Sequence, residues 1–271
     1  TETQDIEVQI GGTTGDVTWR FENGTLYIEG NGKMGNYVNV GDVAPWQTVR
    51  KETTAIVIGD GVTYIGNRSF KGFNKVTTVT IGKDVTTMGY ECFYACNKIT
   101  SINLPEGLTQ IGALTFFNCT GLTQIEIPST VTKLENRAFK GSGLTSVVVP
   151  DTVTKMGYEV FMNCASLAEV DFTEGVSMLQ PRTFENCTSL TTFDFTDNMC
   201  RIRTRAFYGC TALESVVFED ADNMWGSSDG NESKIASDSF AECNATLKLV
   251  AEAGSHVEQY AAKRGFVFEA K

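Results

Sequence analysis

The sequence predicts a right-handed α/β-type solenoid, because three features recur together. A 23-residue motif holds its phase over most of the chain, a phenylalanine occupies one place in every copy, and a cysteine often follows three residues later. The copies begin at Thr53, Val76, Ile99, Leu122, Leu144, Leu167, Leu190 and Leu213, and only the interval starting at Leu122 is 22 residues. The clearest copy, LTSVVVPDTVTKMGYEVFMNCAS, runs from Leu144 to Ser166.

Each position of the motif has a physical reading. Positions 1, 4 and 6 are apolar, and positions 4 to 6 alternate as a half-buried strand does. Position 7 is Gly59, Gly82, Pro105, Pro128 or Pro150 in the first five copies, where pairing must stop and the chain must turn. Position 13 is apolar, as in Ile65, Met88, Ile111, Leu134, Met156, Leu179 and Ile202. Position 18 is Phe70, Phe93, Phe116, Phe139, Phe161, Phe184, Phe207 and Phe240. The stretch around that ring is too short for a full helix and predicts a helical or 3₁₀ turn. One copy buries too little apolar surface to offset the ordering of its own backbone, so the copies must stack. The result is a leucine-rich-type repeat solenoid with a parallel β-sheet on one face and short helical or 3₁₀ turns opposite.

The same phase interprets the cysteines. Cys96, Cys119, Cys164, Cys187 and Cys210 fall at position 21, and Cys243 joins them across a longer last repeat. Residues stacked on adjacent coils lie about 4.8 Å apart with parallel side-chain directions. A disulfide needs Cβ atoms about 3.8 Å apart and pointing at each other. The spacing therefore predicts a ladder of free, buried thiols, with Cys200 at position 11 as the exposed exception.

An open stack needs covers at its ends. Residues 1–52 are expected to form a β cap, 53–246 the eight repeats, and 247–271 a C-terminal cap. In the first, GDVTWRFENGTLYIEGNGKM reads as two strands joined at Glu22-Asn23-Gly24, with Trp19, Phe21, Leu26 and Ile28 over the first rung. In the last, Ser255 is the expected N-cap of a short helix, Gly265 its stop, and Phe266 to Phe268 a closing strand.

These repeats, the opening segment with its APW running into IVIGDGVTYIG, and the closing GSHVEQYAAKRGFVF together resemble the BspA-like, or Treponema pallidum-type, leucine-rich repeat family. The resemblance spans nearly the whole chain from Gly11. It implies a bacterial or protist surface or secreted protein engaged in adhesion, and hence an extracellular or cell-surface location. It supplies no binding residues position by position. The chain departs from the pattern in its last repeat, where about 11 extra residues intervene.

Chemistry is sparse. The single histidine, His256, lies in the expected capping helix, far in sequence from every cysteine but Cys243, so no nucleophile–histidine arrangement is in view. Neither a phosphate-binding loop nor a zinc-type cluster occurs, and no cofactor or resident metal is expected. A net charge of −11 argues against nucleic acid or an anionic membrane surface as partner. No apolar run approaches the length of a membrane span.

What remains lies on the strand face, where positions 3 and 5 point away from the core. Gln124, Glu126, Glu169, Asp171, Thr192 and Asp194 make an acidic patch there, with Asp171 and Asp194 expected as neighbours on adjacent strands. The insert 219–234, EDADNMWGSSDGNESK, adds Trp225, although a tolerated surface insertion explains it as simply. These residues predict a non-catalytic protein that binds an extracellular protein. The alternatives are a glycan-binding module using Tyr37, Trp46 and Trp225, or a passive spacer. An enzyme would need a pocket to shift one carboxylate, and a flat sheet offers none.

Overall fold

A computed structural model describes residues 10–39, 41–219 and 235–271, and the chain winds as a β-solenoid of about nine turns. The first cover is an antiparallel hairpin, Val17–Glu22 with Thr25–Gly30, flanked by Ile10–Thr14. Asn23 and Gly24 both have positive φ, 47° and 78°, as a type I′ turn requires. The strand Thr25–Gly30 then starts the parallel stack, setting Leu26 beside Ile56 of Ala55–Ile58.

Each coil adds one short strand to the main face, but the sheet is not continuous. Thr25–Gly30 pairs through Ala55–Ile58 and Thr78–Ile81 to Ser101–Ile102, where the ladder stops. Ser146–Val149 pairs with Glu169–Phe172 alone, and a third sheet runs from Thr192–Phe195 to Val267–Ala270. A second, narrower ladder forms around position 13. It runs from Gly32–Lys33 through Val62–Ile65, Thr87–Met88, Gln110–Ile111 and Lys133–Leu134 to Lys155–Met156. Threonines brace the corners between the two ladders: Thr86, Thr109 and Thr132 each donate their hydroxyl to the carbonyl of the threonine one coil earlier, at 3.1–3.3 Å.

Opposite the main face, the expected helical or 3₁₀ turns are absent among the described repeats. Positions 16 and 20 have left-handed backbone, as at Arg68, Glu91 and Leu114, and at Ala95, Asn118 and Asn163. A residue with positive φ cannot continue a right-handed turn. The chain instead makes consecutive β-turns whose N–H groups donate to the next coil, as in Arg68 N to Tyr90 O at 3.0 Å and Phe70 N to Cys92 O at 2.8 Å. The last repeat is longer by ten: Ile202 bridges Ile235, 33 residues on rather than 23.

The core is a single column of rings. Phe70, Phe93, Phe116, Phe139, Phe161, Phe184, Phe207 and Phe240 stack in succession at centroid distances of 5.1–5.9 Å. Trp46, held by the short 3₁₀ helix Pro45–Val49, stacks on Phe70 and is met edge-on by Trp19 and Tyr37. At the far end Tyr260 and Phe266 meet Phe240 edge-on. Tyr260 comes from the helix His256–Arg264, which stops at Gly265 with φ 78°. Ser255 occupies the N-cap position, but its buried hydroxyl makes no capping bond; Glu258 accepts from Gly254 N at 2.6 Å instead. The closing strand is Val267–Ala270, a residue later than the sequence suggests.

All eight cysteines are free. Six of them, Cys96, Cys119, Cys164, Cys187, Cys210 and Cys243, donate S–H to the carbonyl of the core phenylalanine one coil earlier, at 3.0–3.2 Å. Burial pushes these thiols up, Cys164 to about 11 and Cys96 and Cys243 to about 12. Cys200 is half-buried and donates to Ser177 O at 3.4 Å.

Candidate functional site

The two long sides of the solenoid use charge in opposite ways. On the turn side, position 16 carries arginine in four coils and glutamate in two, and Glu91, Glu159 and Glu185 each meet cations. Glu91 meets Arg68 at 3.0 Å and Lys71 at 2.6 Å. Glu159 meets Arg137 at 2.9 Å and Lys140 at 2.7 Å, and Glu185 meets Arg205 at 3.0 Å. Aromatic rings flank this network, with Arg205 3.8 Å over Tyr208. The Arg137 hydrogen bond, opposed in part by desolvation and reinforced by Lys140, brings the Glu159 carboxyl down to about 2. These three carboxylates are neutralised from within.

The strand face is not. Its outward positions 3 and 5 carry no lysine or arginine in any of the eight repeats. Glu126, Glu169, Asp171 and Asp194 are all exposed, and none takes part in an ion pair among the described residues. Glu169 and Asp171 project from one strand, with Asp171 in register with Val148; Thr192 and Asp194 project from the next, with Asp194 opposite Val217. Asp171 and Asp194 thus occupy consecutive face strands, but no hydrogen-bonded ladder joins those strands. Like charges placed opposite one another disfavour such pairing.

Gln124 and Glu126 lie apart from those residues, at the other interruption of the sheet. Residues 124–127 form no strand, and none of them makes a backbone hydrogen bond to either neighbouring coil. A trough of about 860 Å³ opens over them, between Ser101–Ile102 and Ser146–Val149. Leu104, Ile125 and Val148 supply apolar wall, while Glu106 and Glu126 bring negative charge. No motif in the sequence marks this trough: the repeat containing 124–127 is a residue short, but the shortening falls between Phe139 and Leu144, at the far end of the coil.

The aromatic residues considered for a glycan are otherwise engaged. Trp46 is fully buried and donates its indole N–H to Ser69 O at 2.8 Å, and Tyr37 packs half-buried against it. Trp225 and most of the insert 219–234 lie outside the described residues. His256 opens the C-terminal helix His256–Arg264. No group of three metal-ligating side chains is gathered among the described residues, and no helix there is long and apolar enough to cross a membrane.

Comparison with known proteins places this architecture. No curated protein matches the chain. Among solved structures, a leucine-rich repeat protein from Bacteroides ovatus aligns with a TM-score of 0.53 at 19% identity, over 96% of this chain and 76% of that one. The T. pallidum leucine-rich repeat protein aligns at 0.49 and 18% identity, over 70% of this chain and 91% of its own. The pneumococcal vaccine antigen PcpA aligns at 0.48 and 14% identity, over 97% and 98%. The family model of the BspA type leucine-rich repeat region matches residues 49–168 and 132–261, nearly all of the stacked coils. The chain therefore belongs to the BspA-type leucine-rich repeat family.

Proposed function

We propose that the chain is a non-catalytic binding protein, secreted or displayed at the cell surface, that holds an extracellular protein partner against its strand face. The observation that carries this reading is the charge asymmetry between the two sides. Glu91, Glu159 and Glu185 on the turn side are paired internally, whereas Glu126, Glu169, Asp171 and Asp194 are exposed, in no ion pair among the described residues, and uncompensated by any cation at the outward positions of the repeats. Uncompensated charge of one sign steers a partner of the other sign and sets its register. A long, open face suits a macromolecule, because a small ligand needs a more closed site. The burial of Trp46 favours a protein over a glycan.

The test presents the immobilised chain with a panel of extracellular matrix proteins and, in parallel, with a glycan array. The expected result is capture of a matrix protein, weakened at least tenfold when Asp171→Asn and Asp194→Asn are combined. Capture of glycans alone, or of nothing, would overturn the proposal. Equal capture by the double variant would remove these two aspartates from the binding surface.

A further inference from the structure

The sheet should be as continuous as the sequence repeat, and at residues 124–127 it is not. The coils before and after contribute Ser101–Ile102 and Ser146–Val149, but the segment between pairs with neither. Its peptide groups therefore have hydrogen-bonding capacity that the fold leaves unused, in contrast to the rule for ordered backbone. Without a ladder across it, this stretch of the face is held only by the coil contacts at either end, such as Thr145 N to Thr123 O at 3.0 Å and Thr132 N to Thr109 O at 2.9 Å.

Three features of the surface here say what kind of polypeptide segment it would seat. The trough over this segment, about 860 Å³, is lined from three successive coils and is too open to enclose a small molecule. Its wall is part apolar: Ile125 and Leu104 are half-buried, and Val148 remains 55% exposed, one of the few large apolar side chains so exposed. Its charge is of one sign, from Glu106 and Glu126, and Glu169 and Asp171 continue it on the strand paired with Ser146–Val149.

Resting on the binding role proposed above, we infer that the trough over residues 124–127 is the docking site, and that its occupant is an extended, basic segment of the partner with apolar side chains between its cations. The apolar side chains lie against Leu104, Ile125 and Val148. The cations meet Glu106 and Glu126.

The test measures anisotropy of a fluorescein-labelled peptide of about twelve residues alternating lysine with valine. It is compared with peptides carrying glutamate for lysine and serine for valine. The whole chain is used, with Glu126→Gln, Val148→Asp and, as a distant control, Glu252→Gln; circular dichroism checks that each variant keeps its fold. The expected result is binding of the lysine–valine peptide alone, weakened at least fivefold by Glu126→Gln and by Val148→Asp, and unchanged by Glu252→Gln. Val148→Asp is the decisive variant. It adds negative charge, so attraction to net charge alone would strengthen binding, whereas loss of the apolar wall weakens it. Equal or tighter binding by Val148→Asp, or equal weakening by Glu252→Gln, would overturn the inference. If the matrix panel is still captured in that event, the binding role stands and only this location for it fails.

Discussion

Trp46 stacks on Phe70 with ring centroids 5.5 Å apart and planes 20° from parallel, so the cap supplies the first ring of a column that the repeats continue. Its indole N–H also donates to Ser69 O, tying the cap to the backbone beside that ring. Trp46→Ala is expected to cost about 3–5 kcal/mol, as truncating a fully buried aromatic does. Trp46→Phe keeps the stacking, loses the hydrogen bond, and is expected to cost about 1–2 kcal/mol. Urea unfolding followed by circular dichroism measures both. Equal costs would mean that the hydrogen bond, not the ring, holds the cap.

Much of this column was legible in the sequence. A side chain that recurs every 23 residues in a stacked array must meet its own copies, so Phe70 through Phe240 announced the core, and the cysteines at position 21 announced their ladder. The narrow second ladder was not legible as strands, because Thr87–Met88 or Gln110–Ile111 is too short for alternation to show. The turns are not helical because of what stands at position 20. Gly72, Gly141 and Gly209 stand there, with Asn118, Asn163 and Asn186 in other coils, and these two residue types tolerate left-handed backbone best. The trough was hidden for a different reason: it follows from what two neighbouring coils fail to do, and no pattern within one coil records that.

That column of position 20 yields a stabilising substitution. Ala95 has φ 56° where other coils place glycine. A left-handed alanine costs roughly 1–2 kcal/mol in strain, which glycine avoids at some expense in unfolded-state entropy. Ala95→Gly is expected to raise stability by about 0.5–1 kcal/mol, read as a rise in the urea midpoint. A fall would show that the alanine side chain contributes more in contacts than its backbone loses.

The thiols should be silent in the folded protein. With pKa values raised by burial, Cys96, Cys164 and Cys243 are protonated at pH 8 and do not attack a disulfide reagent. Thiol titration of the native chain at that pH is expected to register Cys200 ahead of the rest, and unfolding in guanidinium to release all eight. Fewer than eight after unfolding without reductant would mean that disulfides form. Cys187→Ala, which removes the donor to Phe161 O, is expected to cost about 1–2 kcal/mol.

Glu159 sets part of the acid limit of the fold. Its carboxyl is lowered from 4.5 to about 2 by the Arg137 and Lys140 hydrogen bonds. The folded state therefore holds this group ionised where the unfolded chain would protonate it. The resulting stability is fully present above pH 4.5 and is lost as pH falls through 2. Glu159→Gln is expected to cost about 1–2 kcal/mol at pH 7, the partial exposure of Arg137 moderating the loss, and the variant and parent should converge near pH 2. Urea titrations at pH 7, 4 and 2 measure this. A constant difference across that range would assign the effect to packing rather than charge.

The two ends of the ring column have a bearing on descent. Trp46 with Trp19 closes one end, and Tyr260 with Phe266 closes the other, and neither closure touches the coils in between. Between those terminators each coil presents the same ring to its neighbours, and six of the eight add the same thiol. A gene segment encoding one coil can thus be duplicated or lost in frame without new terminators being invented. A coil can also lose a single residue without disturbing its successors: the one beginning at Leu122 is a residue short, and the repeats from Leu144 resume the 23-residue spacing.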